Sequence, residues 1–216
     1  MTSPVPPSPR SRHAFTLLEI LVSVSIIGIL AVMLMPAARG IIAKANTAKS
    51  TSNLQQIGVA VAAYVADMNG ELPSKDFNDP SRLWIRNLYE RIYARPWADF
   101  VPYDTGANLK GTVFFSPALK PDEPKPWRSY GWNNYLQISD PDTGIVGLPP
   151  KLLSIPNPTK VILCGEAMNS STLYVNKVAA RHNGRALILM ADLHVNQLDP
   201  KNISTNTYDP MWRPIQ

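Results

Sequence analysis

The sequence contains a single cysteine, Cys164, among its 216 residues. One cysteine excludes an internal disulfide and any metal cluster held by several cysteines. Residues 160–165 around it are predicted to form a buried strand, where a free cysteine usually acts as a small apolar residue. An intermolecular disulfide remains open as an alternative for this thiol.

Motifs that mark common enzyme classes are also missing. The chain has no Gly-rich phosphate loop, no His-Glu-x-x-His helix and no serine nucleophile elbow. The net charge is only +5, and the basic residues are scattered instead of clustering with aromatic residues, so no nucleic-acid partner is predicted. The sequence therefore supports no enzymatic function, and we predict no catalytic residues and no cofactor.

Apolar residues make up 45% of the chain and concentrate in residues 15–35. This run has the length of about 20 residues that a helix needs to cross a bilayer core. The residues before it include Arg10 and Arg12 and no acid. By the positive-inside rule, this charge predicts a single-pass protein with a cytoplasmic N-terminus.

Glu19 is the one charged residue within the apolar run. A carboxylate inside a membrane helix costs roughly 2.5–3.5 kcal/mol even on lenient insertion scales, so it indicates a function. Nothing else in the run is charged, so the helix itself offers no partner. If the chain were cut after Ala14, the free amine of Phe15 in a neighbouring copy would be a suitable one.

Residues 14–19 read Ala-Phe-Thr-Leu-Leu-Glu, follow basic residues and open the apolar run. This arrangement resembles the cleavage and methylation motif of type IV pilins and type II secretion pseudopilins. The resemblance implies that a prepilin peptidase cuts between Ala14 and Phe15 and that Phe15 is then N-methylated. It also implies that Glu19 serves assembly with other pilin subunits into a filament. The family usually has glycine where this chain has Ala14.

The resemblance further implies a location in the inner membrane, with the globular domain in the periplasm. An extracellular filament or the cell surface is the alternative location.

Three other interpretations of residues 15–35 compete with this one. A secretory signal peptide would have an apolar core of about 7–15 residues, and this run is longer. A plain membrane anchor explains the length but not Glu19. A buried core helix would show more polar positions than this run does.

Pro36 ends the uninterrupted apolar stretch, and a proline removes one helix hydrogen bond, so we expect loosening there. From residue 41 to residue 68 apolar residues recur at helical spacing, and Asn69-Gly70 ends the helix. The predicted organisation is a leader, a membrane and assembly helix, an amphipathic half of that helix, a globular domain and an irregular tail, at residues 1–14, 15–36, 37–69, 70–198 and 199–216.

The predicted fold class is α+β, with the long N-terminal helix packed on a small antiparallel β-sheet, as in pilins. A short helix is predicted over residues 81–94 and a strand over residues 112–115. Residues 185–190 and 193–198 flank a short turn and are predicted to form a hairpin.

A second resemblance lies at this hairpin, in His182, Asp192 and His194. It is similar to a C-terminal signature of prepilin-like proteins, which usually read Asp-Gly-His-Val where this chain has Leu193 in place of the glycine. We interpret these residues as structural, with Asp192 accepting backbone N–H groups in the turn. A metal or hydrolytic site using His182 or His194 is the alternative, and it requires a histidine and an acid to converge on a pocket.

Asp140 and Asp142 sit in a segment with some likeness to a calcium loop, although the distal glutamate is missing. A solvated turn is the favoured interpretation, and calcium binding stays open. The five tryptophans are interpreted as core and loop anchors, with a sugar-binding surface as the alternative: Trp84, Trp97, Trp127, Trp132 and Trp212. The rival function is accordingly a single-pass, membrane-anchored binding protein that does not polymerise.

Overall fold

The structure is a computed structural model, and it describes residues 16–75, 83–96, 109, 111–119, 123, 129–137 and 147–214. The chain divides into two compact units, Met1–Ile42 and Ala43–Gln216. Helix α1, Leu17–Asp67, contributes residues to both units. Its first part is the membrane-spanning candidate in the described chain, because it is long and apolar enough to cross a bilayer.

In the first unit every described residue of α1 is exposed, and its large apolar side chains are between 48% and 85% exposed. A helix that is apolar on all sides requires an apolar environment. No described residue of the first unit supplies one. In the second unit α1 is instead buried along one side, at positions three or four residues apart such as Leu54, Ile57 and Val61. Asn69 and Gly70 both have positive φ and end the helix where the sequence predicts.

The second unit contains a five-stranded sheet in the order β3-β1-β2-β4-β5. Its strands are β1 Tyr130–Asn133, β2 Ile162–Glu166, β3 Thr172–Leu173, β4 Ala186–Met190 and β5 Val195–Leu198. All pairings are antiparallel except that of β1 with β3, which is parallel. The fold class α+β is confirmed, while the sheet is mixed and not purely antiparallel as predicted. The parallel pair arises because the chain from β2 to β3 returns to the far side of β1.

The sheet is covered on both faces, as the alternation along β4 shows. Leu187 and Leu189 join the core that α1 shares, whereas Ile188 and Met190 pack in a second core with Trp212. Trp212 is fully buried, and its indole N–H donates to the Ser204 carbonyl at 2.6 Å. The segment after β5 therefore forms part of the folded unit, through turns and a short 3₁₀ helix, Pro200–Asn202.

Two local predictions need correction. Helix α2 spans Trp84–Tyr93, its N-cap is Leu83, and that residue makes no side-chain cap bond. The predicted serine cap, Ser81, lies outside the described residues. The strand predicted over residues 112–115 is wrong: these residues form turns, with the Phe115 N–H donating to the Thr112 carbonyl at 3.2 Å. Val113 and Phe114 are buried. The apolar run at these residues therefore indicates burial and does not indicate an extended backbone.

The predicted hairpin is confirmed as β4 and β5 joined by a turn. Leu193 adopts φ +69° in that turn, so the left-handed conformation is present although leucine replaces the usual glycine. Such a φ is strained for leucine. Its partly buried side chain packs on the core that α1 shares.

Candidate functional site

The N-terminal site begins at the edge of the described chain. Ala14 and Phe15 lie outside the described residues, whereas Glu19 lies in the first turn of α1. Thr16 is the residue before the helix, and the two side chains cap it reciprocally. The Glu19 N–H donates to Thr16 Oγ1 at 3.2 Å, and the Thr16 N–H donates to Glu19 Oε2 at 3.3 Å.

This arrangement is a capping box, in which two otherwise unpaired N–H groups of a helix start find acceptors. The sequence signal for this capping box is Thr16 followed three residues later by Glu19. Glu19 therefore has a local structural role in addition to any intermolecular one. Its carboxylate keeps acceptor capacity, because two oxygens offer about four lone-pair sites.

Pro36 lies inside α1, and the helix continues through it without a break. Arg39, Lys44 and Lys49 follow in the next turns, all exposed. Loosening of the helix at Pro36 stays a prediction for the assembled state.

The structure does not bring His182 and Asp192 together. Asp192 lies in the β4–β5 turn, where its carboxylate accepts the His194 N–H at 3.2 Å and also contacts the His194 imidazole. This pair is partly exposed and local to the turn. A structural role for Asp192 stays a prediction, and its contact with a backbone N–H of the turn is the observation that favours it.

His182 instead meets a residue that the sequence analysis did not single out, Glu166 at the end of β2. His182 Nε2 lies 2.9 Å from Glu166 Oε2, and both side chains are at most 1% exposed. The two atoms are within ion-pair distance but are not aligned as a good hydrogen bond. On its other side, His182 Nδ1 lies 2.9 Å from the Thr47 hydroxyl of α1.

Glu166 is also held from the opposite side. The Ser116 hydroxyl donates to Glu166 Oε1 at 2.6 Å, and Ser116 in turn lies 3.2 Å from Ser50 of α1. Burial raises the pKa of the nearby Tyr130 hydroxyl, and the Glu166 carboxylate adds to that rise. We call Thr47, His182, Glu166, Ser116 and Ser50 the buried polar cluster; it joins α1 to the sheet through two routes.

The buried polar cluster bears on the hydrolytic alternative, because a histidine and an acid do meet here. Nδ1 of His182 lies against the Thr47 hydroxyl, and Nε2 faces the Glu166 carboxylate without an aligned hydrogen bond. The Thr47 hydroxyl also donates to the Ala43 carbonyl at 2.9 Å, which is a helix back-bond and not the free geometry of a nucleophile. The cluster is therefore arranged to hold elements together.

Metal binding finds no further support in the described part of the chain, which has no group of three or more histidine, cysteine or acidic residues placed to hold an ion. Asp140 and Asp142 lie outside the described residues. Cys164 is fully buried in β2, and burial raises the pKa of its thiol. The intermolecular disulfide considered for this residue would require β2 to open.

The tryptophans divide into described and undescribed ones. Trp84, Trp132 and Trp212 are at most 1% exposed, and Trp84 stacks on Trp132 with ring centroids 5.7 Å apart. A sugar-binding surface requires exposed aromatic faces, so these three do not form one. Trp97 and Trp127 lie outside the described residues.

Comparison with known proteins gives one family match. Residues 9–35 match the family model described as the prokaryotic N-terminal methylation motif. No curated protein and no solved structure shows a significant match. Together with the long apolar N-terminal helix, the matched motif fits a type IV pilin-like protein or pseudopilin, as the residues around Phe15 predict.

Proposed function

We propose that this chain is the precursor of a structural subunit of a type IV pilus-like or type II secretion pseudopilus filament. The observation that carries the proposal is the methylation motif over residues 9–35, set on a helix whose apolar surface is exposed along its first unit. A structural motif of this kind gives no indication of catalytic activity. We propose no catalytic residue.

In this proposal the helix occupies two environments, one before assembly and one after it. Before assembly its apolar side chains lie in the membrane, and after assembly they pack against the helices of neighbouring subunits. Glu19 is the residue for which the two states differ most, because the bilayer core offers no cation while a neighbour offers the Phe15 amine. This difference favours the assembled state.

The orientation proposed is a cytoplasmic N-terminus with the second unit in the periplasm. It rests on the leader and motif, because the flanking charges alone do not decide it. Arg10 and Arg12 precede the apolar run, but Arg39, Lys44 and Lys49 follow it closely. The positive-inside rule counts both sides.

Processing is the first expected outcome. Co-expression with a prepilin peptidase should remove residues 1–14 and leave an N-methylated Phe15, as read by intact mass and N-terminal analysis. A catalytically inactive peptidase is the control and should leave the chain whole. An uncut chain in the presence of active peptidase would refute processing by this route and favour the membrane-anchored binding protein.

The role of Glu19 is tested by two substitutions that differ in one property. Glu19→Gln keeps the capping box, since glutamine serves at this position, but removes the charge; Glu19→Ala removes both. A charge-assisted hydrogen bond is worth about 1.5–3 kcal/mol, so both variants should assemble roughly tenfold or more less efficiently. Sheared-filament yield measures assembly, with cleavage by the peptidase as the control for membrane insertion.

If Glu19→Gln assembled normally while Glu19→Ala did not, the cap and not the charge would be responsible. Normal localisation and function of both variants would instead support the non-polymerising alternative.

A further inference from the structure

A small polar cavity lies in the second unit, beside the first turns of α1 that belong to that unit. Its volume is about 100 Å³, and its lining includes Asn46 and Thr47 of α1 together with Arg181, His182 and Asn183. The Thr47–His182 contact holds the 182–185 turn against the helix, and His182 and Arg185 exchange backbone hydrogen bonds at 3.1 Å. The cavity is therefore built on two fixed elements.

The lining offers donors that the rest of the described chain leaves unused. The side-chain amides of Asn46 and Asn183 make no hydrogen bond to any described residue. Arg181 directs four of its five N–H groups to Glu123 and to the carbonyls of Ala167 and Ser129. One N–H of its guanidinium remains, and no acidic residue is part of the lining. Glu123 balances the charge of Arg181, so the positive charge left for an anion comes from cations beside the lining.

Three cations lie close in the chain to residues that line this cavity. Lys44 lies three positions before Thr47, and Lys49 lies three positions after Asn46, so the two lysines flank the helix face that lines the cavity. Arg185 follows Asn183 in the turn. All three side chains are exposed, and within the described ranges none of them has an acidic partner. We call Lys44, Lys49 and Arg185 the cationic rim.

The size and charge of the site indicate a phosphate group. The cavity is smaller than the roughly 300–1,000 Å³ of pockets that enclose a drug-sized molecule, so it has room for a small anion and not for a larger ligand. Amide, guanidinium and ammonium donors are the groups that recognise phosphate oxygens in proteins.

The source of that phosphate follows from the sequence of α1. Ile41 and Ile42, both exposed, immediately precede Ala43, which contributes to the cavity lining. Cations just beyond a membrane helix on the exported side are unusual by the positive-inside rule. An anionic partner on that side would stabilise them. An anionic lipid surface attracts each such cation when it lies within a Debye length.

We propose that the cavity and the cationic rim bind the phosphate of an anionic phospholipid headgroup. The site then anchors the second unit at the membrane surface before the subunit is extracted. This inference rests on the membrane anchoring of the proposed function, but not on cleavage or on filament assembly.

The test uses the uncleaved, full-length chain in dodecyl maltoside micelles, so that its outcome is independent of processing and of Glu19. Native mass spectrometry measures retention of added phosphatidylglycerol, with phosphatidylcholine and inorganic phosphate as the comparison ligands. The wild-type chain should retain phosphatidylglycerol in preference to phosphatidylcholine. Replacing Lys44, Lys49 and Arg185 by glutamine should weaken that retention by roughly fivefold per cation.

The matched control replaces Lys160, Lys177 and Lys201 by glutamine. These lysines are exposed in the same unit, and no residue within three positions of any of them lines the cavity, so the net charge changes equally while phosphatidylglycerol retention should not change. Asn183→Asp is a second variant, because aspartate tolerates the left-handed φ of +52° but places a negative charge at the cavity. It should lose retention while its thermal unfolding midpoint stays close to the wild-type value.

Three outcomes would overturn the proposal. Equal losses in the rim and control variants would show a general effect of charge. Equal retention of phosphatidylglycerol and phosphatidylcholine would remove the preference for an anionic headgroup. Displacement of phosphatidylglycerol by an equal concentration of inorganic phosphate would show a site for free phosphate instead of lipid.

Discussion

Replacing Glu166 by leucine is expected to lower the free energy of unfolding by about 3–5 kcal/mol, because it leaves a buried histidine without its partner. His182 and Glu166 are both almost fully inaccessible and lie 2.9 Å apart. His182→Leu is expected to cost a similar amount, since among the described residues the Glu166 carboxylate would then keep only the Ser116 hydroxyl at 2.6 Å. Urea unfolding of the full-length protein in detergent micelles, followed by tryptophan fluorescence, measures both losses.

The double variant separates the pair from its surroundings. Two leucines fill the space of the pair without leaving either group unpaired, and such replacements of buried ion pairs are often nearly neutral. The double variant is therefore expected to lose no more stability than either single one, with a coupling energy of about 3 kcal/mol or more. If the two single losses simply added, the contact between His182 and Glu166 would not be the source of the effect.

Glu166→Gln is the conservative control for the same position. Its amide group can donate to a neutral His182 imidazole while its carbonyl still accepts the Ser116 hydroxyl. The expected loss is about 1 kcal/mol, because neutral hydrogen bonds replace charge-assisted ones. A loss as large as that of the leucine variant would show that the negative charge itself is required.

The long N-terminal helix could be predicted from the sequence because its signals are local. The run from Phe15, the carboxylate at Glu19 and the stop at Asn69-Gly70 each follow from neighbouring residues. The hairpin of β4 and β5 was accessible for the same reason, since its two strands are joined by a short turn.

The buried polar cluster could not be predicted from the sequence in this way. His182 and Glu166 are sixteen positions apart, and the contact needs β2 and β4 to pair and the 182–185 turn to reach α1. No spacing rule encodes that arrangement. The signal available was Glu166 itself, a carboxylate at the end of an apolar run, which in a buried strand requires a partner. The strand predicted over residues 112–115 was wrong for a related reason. An apolar run does not reveal whether its backbone hydrogen bonds are local or between strands.

Gly131 marks the position where one added methyl group is expected to disturb the sheet most. A Cβ at this residue would lie 2.7 Å from the Leu173 nitrogen and 2.8 Å from the Thr172 carbonyl carbon. These are backbone atoms of β3, which cannot move aside as the end of a side chain can. β3 is held to β1 by the Trp132 N–H donating to the Ser171 carbonyl at 3.0 Å and the Asn134 N–H donating to the Leu173 carbonyl at 3.1 Å.

Gly131→Ala is therefore expected to push β3 away from β1. The free energy of unfolding should fall by about 3 kcal/mol or more. This value is in the upper part of the range for overpacking, because hydrogen bonds are lost as well. Gly58→Ala is the matched control. Its Cβ would approach the flexible end of Leu189 at 3.1 Å, and alanine raises helix propensity by about 0.8–1 kcal/mol, so its stability should change little. Equal stability of the two variants in urea unfolding would show that β3 yields without cost and that its pairing with β1 contributes little to the fold.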